Sequence, residues 1–257
     1  MRLADRRLDA WEALLIAALV AVAAFAAGSR RAAGGDRPVW VIDGPSQARL
    51  EGKYGRERYS AGLEEYLIRE FFKDERGGVF VDVGAFDAVQ GSNTWRLERD
   101  FGWSGVAIDA DPGVAPSYAR RPHSRFVLAF VDAADGGDAT LFSGEGGASS
   151  GTKAFTEQFG VLRGTHAVPR RALASILREH DVRRIDFLSM DIELSEPAAL
   201  GPFPIEEYGP RLVCVEAHPQ TRQWLLDYFA RHGYVVVGDF LQADSLNLWF
   251  KPLAAEE

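Results

Sequence analysis

Two pairs of ionisable residues stand out by type and spacing: Asp191 with Glu193, and Glu216 with His218, each pair separated by a single residue. Each follows an apolar run of strand character, Ile185 to Ile192 and Leu212 to Val215. Side chains two apart on a strand point to one face, so each pair presents two groups to the same side if its strand continues. Carboxylates and an imidazole brought together can orient an acceptor hydroxyl, take its proton, or ligate a divalent cation; the spacing does not choose a metal. As a general base His218 is the first choice, because an unperturbed imidazole titrates near pH ~6.5, and Asp191 is the second. His166 and His180, in a loop and at a helix end, receive no role.

A second group of polar residues follows three earlier runs. Val79 to Val83 ends in Asp82-Val83-Gly84, with Asp87 close behind; Gly105 to Ile108 ends at Asp109; Arg125 to Val131 ends at Asp132. In an open parallel sheet, ligands bind beyond the carboxyl ends of the strands, which is where these acids stand. The first turn is not the Gly-x-Gly-x-x-Gly of dinucleotide enzymes, since Phe86 occupies the second glycine position. Asp82 and Asp87 would repel a pyrophosphate but suit the sulfonium and ammonium of S-adenosylmethionine, with Gly84 admitting a close approach. Asp109 is placed to hold ribose hydroxyls, and Asp132 to accept from an adenine amino group.

The elements that must position these groups alternate strand and helix, which implies a mostly parallel sheet covered on both faces. Helical spacing of Leu63, Tyr66, Leu67 and Phe71 predicts an amphipathic helix within 56–75, and Ser92 stands at an N-cap position before Glu98 and Arg99. Ala139 to Phe142 reads as an extra edge strand. The stretch 143–165 holds six glycines and reads as a mobile loop over a site. Residues 170–180 and 219–232 read as helices, and 234–240 and 246–250 as closing strands.

These blocks resemble the FkbM-type methyltransferases. The resemblance is carried by Phe80-Val81-Asp82-Val83-Gly84-Ala85, Ser92-Asn93-Thr94, Leu97-Glu98, Gly102-Trp103-Ser104-Gly105, and Ile185 to Glu193 followed by Glu196, Leu200 and Gly201. It implies a class I, Rossmann-like α/β fold with a seven-stranded, mostly parallel sheet. It also implies methyl transfer from S-adenosylmethionine, usually to a hydroxyl of a glycan, a lipid-linked sugar or a secondary metabolite. On that fold the strands ending at Asp191 and Glu216 are neighbours, ~4.8 Å apart, and their four groups converge beside the donor. Ser92 and Asn93 join Asp82, Gly84, Asp87, Asp109 and Asp132 as expected donor-site residues. The family pattern places glycine where this chain has Leu194. Glycine adopts positive φ freely and leucine does not, which keeps a non-catalytic binding relative as an alternative. A nucleotide- or NAD-binding enzyme is a weaker one.

Composition narrows the rest. A formal net charge of −8 without a basic run argues against nucleic acid. Cys214 is the one cysteine, so an intramolecular disulfide and a cysteine-based metal site are excluded. Residues 13–27 are unbroken apolar, and charge stays absent through Ser29. That segment reads as a membrane-anchoring hydrophobic helix over 1–29, with a cleaved signal peptide as the alternative, since Arg2, Arg6 and Arg7 precede it. Residues 30–55 read as linker and 56–257 as the catalytic domain, expected on the cytoplasmic side, where the methyl donor is a metabolite.

Overall fold

The computed structural model describes residues 42–144, 150–159 and 162–253. The hydrophobic segment 1–29 and the first part of the linker lie outside the described residues. Within them, no helix is long and apolar enough to cross a membrane. The latter half of the expected linker is folded, which corrects the boundary at residue 56. Helix α1, Gly44–Tyr54, starts where Asp43 accepts the N–H of Ser46 at 2.8 Å, carries proline in its first turn, and stops at Gly55 with φ 86°. Only Leu50 of this helix is buried, so no helical hydrophobic period marks it in the sequence.

After α1 come α2 (Glu64–Phe72), β1 (Val79–Val83), α3 (Trp95–Phe101), β2 (Ser104–Asp109) and β3 (Ser124–Leu128). Next are β4 (Phe130–Asp132), β5 (Asp138–Ser143), α4 (Lys153–Phe159), β6 (Gly164–Ala172) and α5 (Leu173–Glu179). The chain then forms β7 (Phe187–Met190), α6 (Glu196–Leu200), α7 (Ile205–Tyr208), β8 (Leu212–Glu216), α8 (Pro219–Arg231), β9 (Tyr234–Val236) and β10 (Asn247–Pro252). The main sheet has seven strands in the order β3-β2-β1-β7-β8-β10-β9. Its first five are parallel, and β10 runs antiparallel to both β8 and β9. The seven-stranded, mostly parallel sheet expected from the resemblance is therefore present.

Burial on both faces follows from alternation along each strand. Phe80 and Phe187 enter one core with Leu67, Trp103 and Trp249. Val81, Val83, Leu188 and Met190 enter the other with Ile176, Leu225 and Phe229. Each core removes several large apolar side chains from water, at ~1.5–3 kcal/mol for each fully buried one.

Two expectations change here. The run 125–131 breaks at Ala129, whose N–H bonds to the Asp109 carbonyl at 2.9 Å. Beyond it β4 leaves the main sheet for a second, three-stranded sheet of order β4-β6-β5. Strand β6 occupies residues read as loop and helix. Eight of its nine residues keep some exposure and only Val168 is buried, so no period announced it. The glycine-rich stretch likewise contains α4, and the expected strand 234–240 shortens to β9 followed by a 3₁₀ turn, Gly238–Phe240.

Between the cores and the strand ends lies a buried polar group. Glu64 is 5% exposed and accepts the N–H of Gly62 at 2.7 Å and Nδ2 of Asn247 at 3.4 Å. Asp244 accepts Asn247 Nδ2 at 2.9 Å and Trp249 Nε1 at 2.8 Å, tying β10 to the same acid. Burial, and then the charge of Asp244, push Glu64 up to about 7 from 4.5. A folded-state pKa above the unfolded one means that folding takes up a proton. The contribution is full below about pH 4.5 and lost as pH rises through about 7. Glu64→Gln mimics the protonated acid. Relative to the parent, its unfolding free energy should improve by on the order of 1–3 kcal/mol between pH 5 and pH 8. Parallel denaturant curves at the two pH values check this; an unchanged difference would contradict it.

Candidate active site

The chain runs outward from β1 to β2 and β3, crosses through the second sheet, and returns at β7 on the other side of β1. The carboxyl ends of β1 and β7 therefore flank a topological switch point, where a crevice forms. A cavity of about 280 Å³ opens there. Asp82, Gly84, Phe86 and Asn93 line it from the β1 side, Asp109 and Asp111 from β2, and Ser189, Asp191 and Glu193 from β7.

Gly84 holds the two sides together. Its φ is +79°, and a Cβ there would stand 1.7 Å from the Asp191 carbonyl oxygen. The close approach expected of this glycine is thus made by the chain's own backbone. The Asp191 N–H bonds in turn to the Val83 carbonyl at 2.9 Å. Asp109 fixes the loop that follows: Oδ2 accepts the N–H of Phe86 at 2.8 Å and Oδ1 that of Asp111 at 2.7 Å. Each carboxylate oxygen offers two lone pairs, so Asp109 retains capacity for two more donors on the cavity side. Burial raises its carboxyl above the usual range. Asp82 is buried, accepts from Thr94 Oγ1 at 2.7 Å, and is raised for the same reason. Thr94 is steadied by Arg121, whose Nε pairs with Glu98 at 2.7 Å with both side chains out of solvent.

Across the cavity the expected pairs converge. Strands β7 and β8 are parallel neighbours. His218 Nε2 lies 3.0 Å from Glu216 Oε2 and 3.6 Å from Glu193 Oε2. Glu216 and His218 are only 6% and 5% exposed, and the Phe155 ring meets the imidazole edge-on at 5.9 Å between centroids. Asp191 is exposed to the cavity, and desolvation by the protein around it, then the Glu216 carboxylate, push its carboxyl above the usual range. Burial raises Glu193 to about 8 and raises Glu216 as well. For His218 burial favours the neutral ring, but Glu193 and Glu216 outweigh it and lift the imidazole to about 10. An imidazolium donates and cannot accept, so His218 is not the resting base. Asp191, the second choice, faces the cavity directly.

Three expected donor-site residues stand elsewhere. Asp87 Oδ1 accepts the N–H groups of Val89 and Gln90, both at 2.9 Å, closing a local turn. Ser92 Oγ accepts from Thr94 N at 3.2 Å and Trp95 N at 3.0 Å; the N-cap of α3 is Thr94, two residues beyond the expected one, and Ser92 does not line the cavity. Asp132 ends β4 in the second sheet and pairs with Arg170 at 3.3 Å. At that edge the cavity is lined by Ala129, Phe130 and Val131, an apolar wall. The sequence reading missed Asp111, two residues past Asp109, and Ser189, whose Oγ accepts from Asn93 Nδ2 at 3.1 Å. It also gave no role to Glu196. That side chain is fully buried, accepts the Ile192 N–H at 3.0 Å, and so closes the turn after Asp191.

That turn contains the departure from the family pattern. Glu193 and Leu194 take φ of 57° and 72°, the left-handed region in which glycine is at home. The conformation persists without the glycine. It stores roughly 1–2 kcal/mol for each such residue. Leu194→Gly trades this strain against the lost half-buried side chain and should unfold within about 1 kcal/mol of the parent. Leu194→Val, β-branched at positive φ, should lose about 1–2 kcal/mol more than the glycine variant. Equal stability of the two variants in urea would contradict the strain.

A family model described as the methyltransferase FkbM domain matches residues 82–236, more than half of the chain. No curated protein matches it. Among solved structures, the methyltransferase FkbM from Methylobacillus flagellatus KT is similar at 15% identity and a TM-score of 0.43. The alignment covers 80% of this chain and 58% of that one. Precorrin-6y C5,15-methyltransferase from Geobacter metallireducens GS-15 aligns at 12% identity and TM-score 0.41, over 70% of this chain and 76% of that one. A SAM-dependent methyltransferase from Geobacter sulfurreducens, in complex with S-adenosyl-L-homocysteine, aligns at 13% identity and TM-score 0.36, over 76% and 73%.

Proposed function

From the premise that this chain belongs to the FkbM methyltransferase family, we propose that it methylates a hydroxyl group of a small-molecule acceptor, using S-adenosylmethionine. A glycan, a lipid-linked sugar or a secondary metabolite is the acceptor class. One observation supports this most: the acid wall of β1 and β2 and the cluster of Asp191, Glu193, Glu216 and His218 line or border one cavity. The first wall suits the donor and the second suits activation of a hydroxyl.

On the donor side, Asp109 has lone pairs left for the two ribose hydroxyls. Asp82 and Asp111 make the wall acidic, which favours a cation and opposes a pyrophosphate. When bound, S-adenosylmethionine supplies a methyl group already activated on a sulfonium. Positioning therefore does much of the work. Asp191 would take the proton from the acceptor hydroxyl, freeing its oxygen to receive the methyl group that the donor supplies. In its ionised form a carboxylate with a raised pKa is the stronger base for that step. Glu193, beside it on the cavity wall, orients the hydroxyl, and His218, itself paired with Glu216, holds Glu193 from behind.

Asp191→Asn keeps the shape and removes the base. It should lower kcat by ~10²–10⁴-fold while affinity for S-adenosylhomocysteine changes little. Turnover of an acceptor at the parent kcat would remove Asp191 from that role.

A further inference from the structure

We infer that Glu193, Glu216 and His218 form a binding site for one divalent transition-metal ion at the edge of the cavity. One donor atom from each lies within 4.8 Å of the other two, on residues brought together from the ends of β7 and β8. First-row divalent ions hold oxygen and nitrogen at ~2.0–2.2 Å, which places adjacent donors ~3.0–3.4 Å apart. Of the separations from His218 Nε2, 3.0 Å matches such an edge and 3.6 Å exceeds it by a few tenths of an ångström.

A second observation points to a ligand. Glu216 is 6% exposed, and among the described residues its Oε2 has the ion pair with His218 but no donor in hydrogen-bond geometry. His218 Nε2 lies 3.0 Å from it and 3.6 Å from Glu193 Oε2. A buried carboxylate oxygen short of donors is costly to keep. Among the described residues, His218 is the one cationic side chain paired with Glu193 and Glu216. A dication meets the charge of both carboxylates and takes the place of the protons they otherwise share.

Donor chemistry selects the ion class. An imidazole beside two carboxylates suits Mn²⁺ or Zn²⁺ better than Ca²⁺ or Mg²⁺, which prefer oxygen alone. Glu193 lines the cavity, so the ion has a route in and one side facing the acceptor. This deepens the methyl-transfer reading by giving the acceptor hydroxyl a cation to bind, but the site itself is read without turnover.

The test uses the full chain, stripped with chelator and titrated with MnCl₂, following free Mn²⁺ by electron paramagnetic resonance. One ion per chain should bind with micromolar or tighter affinity. Binding should weaken at least tenfold in Glu216→Gln and in His218→Ala, and stay unchanged in Asp132→Asn, whose ion pair with Arg170 lies outside the cavity. Thermal unfolding confirms that each variant is folded; if His218→Ala is not, Glu193→Gln replaces it. Absence of saturable binding by Mn²⁺ and by Zn²⁺, or equal affinity in the variants, would overturn the site. S-adenosylhomocysteine is titrated separately. Ion binding without it would overturn methyl transfer and leave the metal site standing, and the converse would remove the metal site alone.

Discussion

The carbonyl oxygen of Asp191 fills the space that any side chain at position 84 would need, only 1.7 Å from where its Cβ would stand. Everything at the switch point depends on that contact. It lets the ends of β1 and β7 close on one another and turns Asp191 and Glu193 toward the cavity wall that Asp82 and Asp109 share. A larger residue at 84 would force the two ends apart by more than packing can absorb. The cost would fall first on the cavity, because the sheet below it is held by continuous parallel pairing.

The two sides of the cavity handle buried charge differently. On the donor side, charge is paired and braced: Arg121 meets Glu98 and reaches Thr94, which donates to Asp82. That chain fixes α3 against β1 and gives the wall a permanent shape. Across the cavity, acids accumulate with one imidazole among them, and their protonation is pushed away from ordinary values. Groups held in that state respond to whatever enters, whether a hydroxyl or a cation. In the proposed function, the rigid wall serves binding and the responsive one chemistry.

The main sheet was legible because its central strands are buried on both faces and read as apolar runs with acids at their ends. Asp82, Asp109, Asp191 and Glu193 all line the cavity, and Glu216 and His218 stand behind it, as their spacing indicated. The failures have a common cause. Strand β6 and helix α1 commit one buried side chain each, too few to impose a period. Asp132 looked equivalent to Asp109, since both end apolar runs, but the chain turns into a second sheet at Ala129 and takes Asp132 with it. Asp87 and Ser92 satisfy backbone N–H groups nearby, a role that residue type allows and that spacing alone does not separate from ligand binding. For His218, residue type suggested a base, whereas its two carboxylate neighbours, unseen in the sequence, make it a cation.

The central claim is that the cavity between β1, β2 and β7 holds the methyl donor. Isothermal titration of the full chain with S-adenosylhomocysteine, and separately with NAD, addresses it most directly. Saturable binding of S-adenosylhomocysteine is expected, at least tenfold weaker in Asp109→Ala, about 1.4 kcal/mol, with no heat from NAD. Binding of NAD in its place, or an affinity for S-adenosylhomocysteine that a folded Asp109→Ala protein keeps in full, would contradict it.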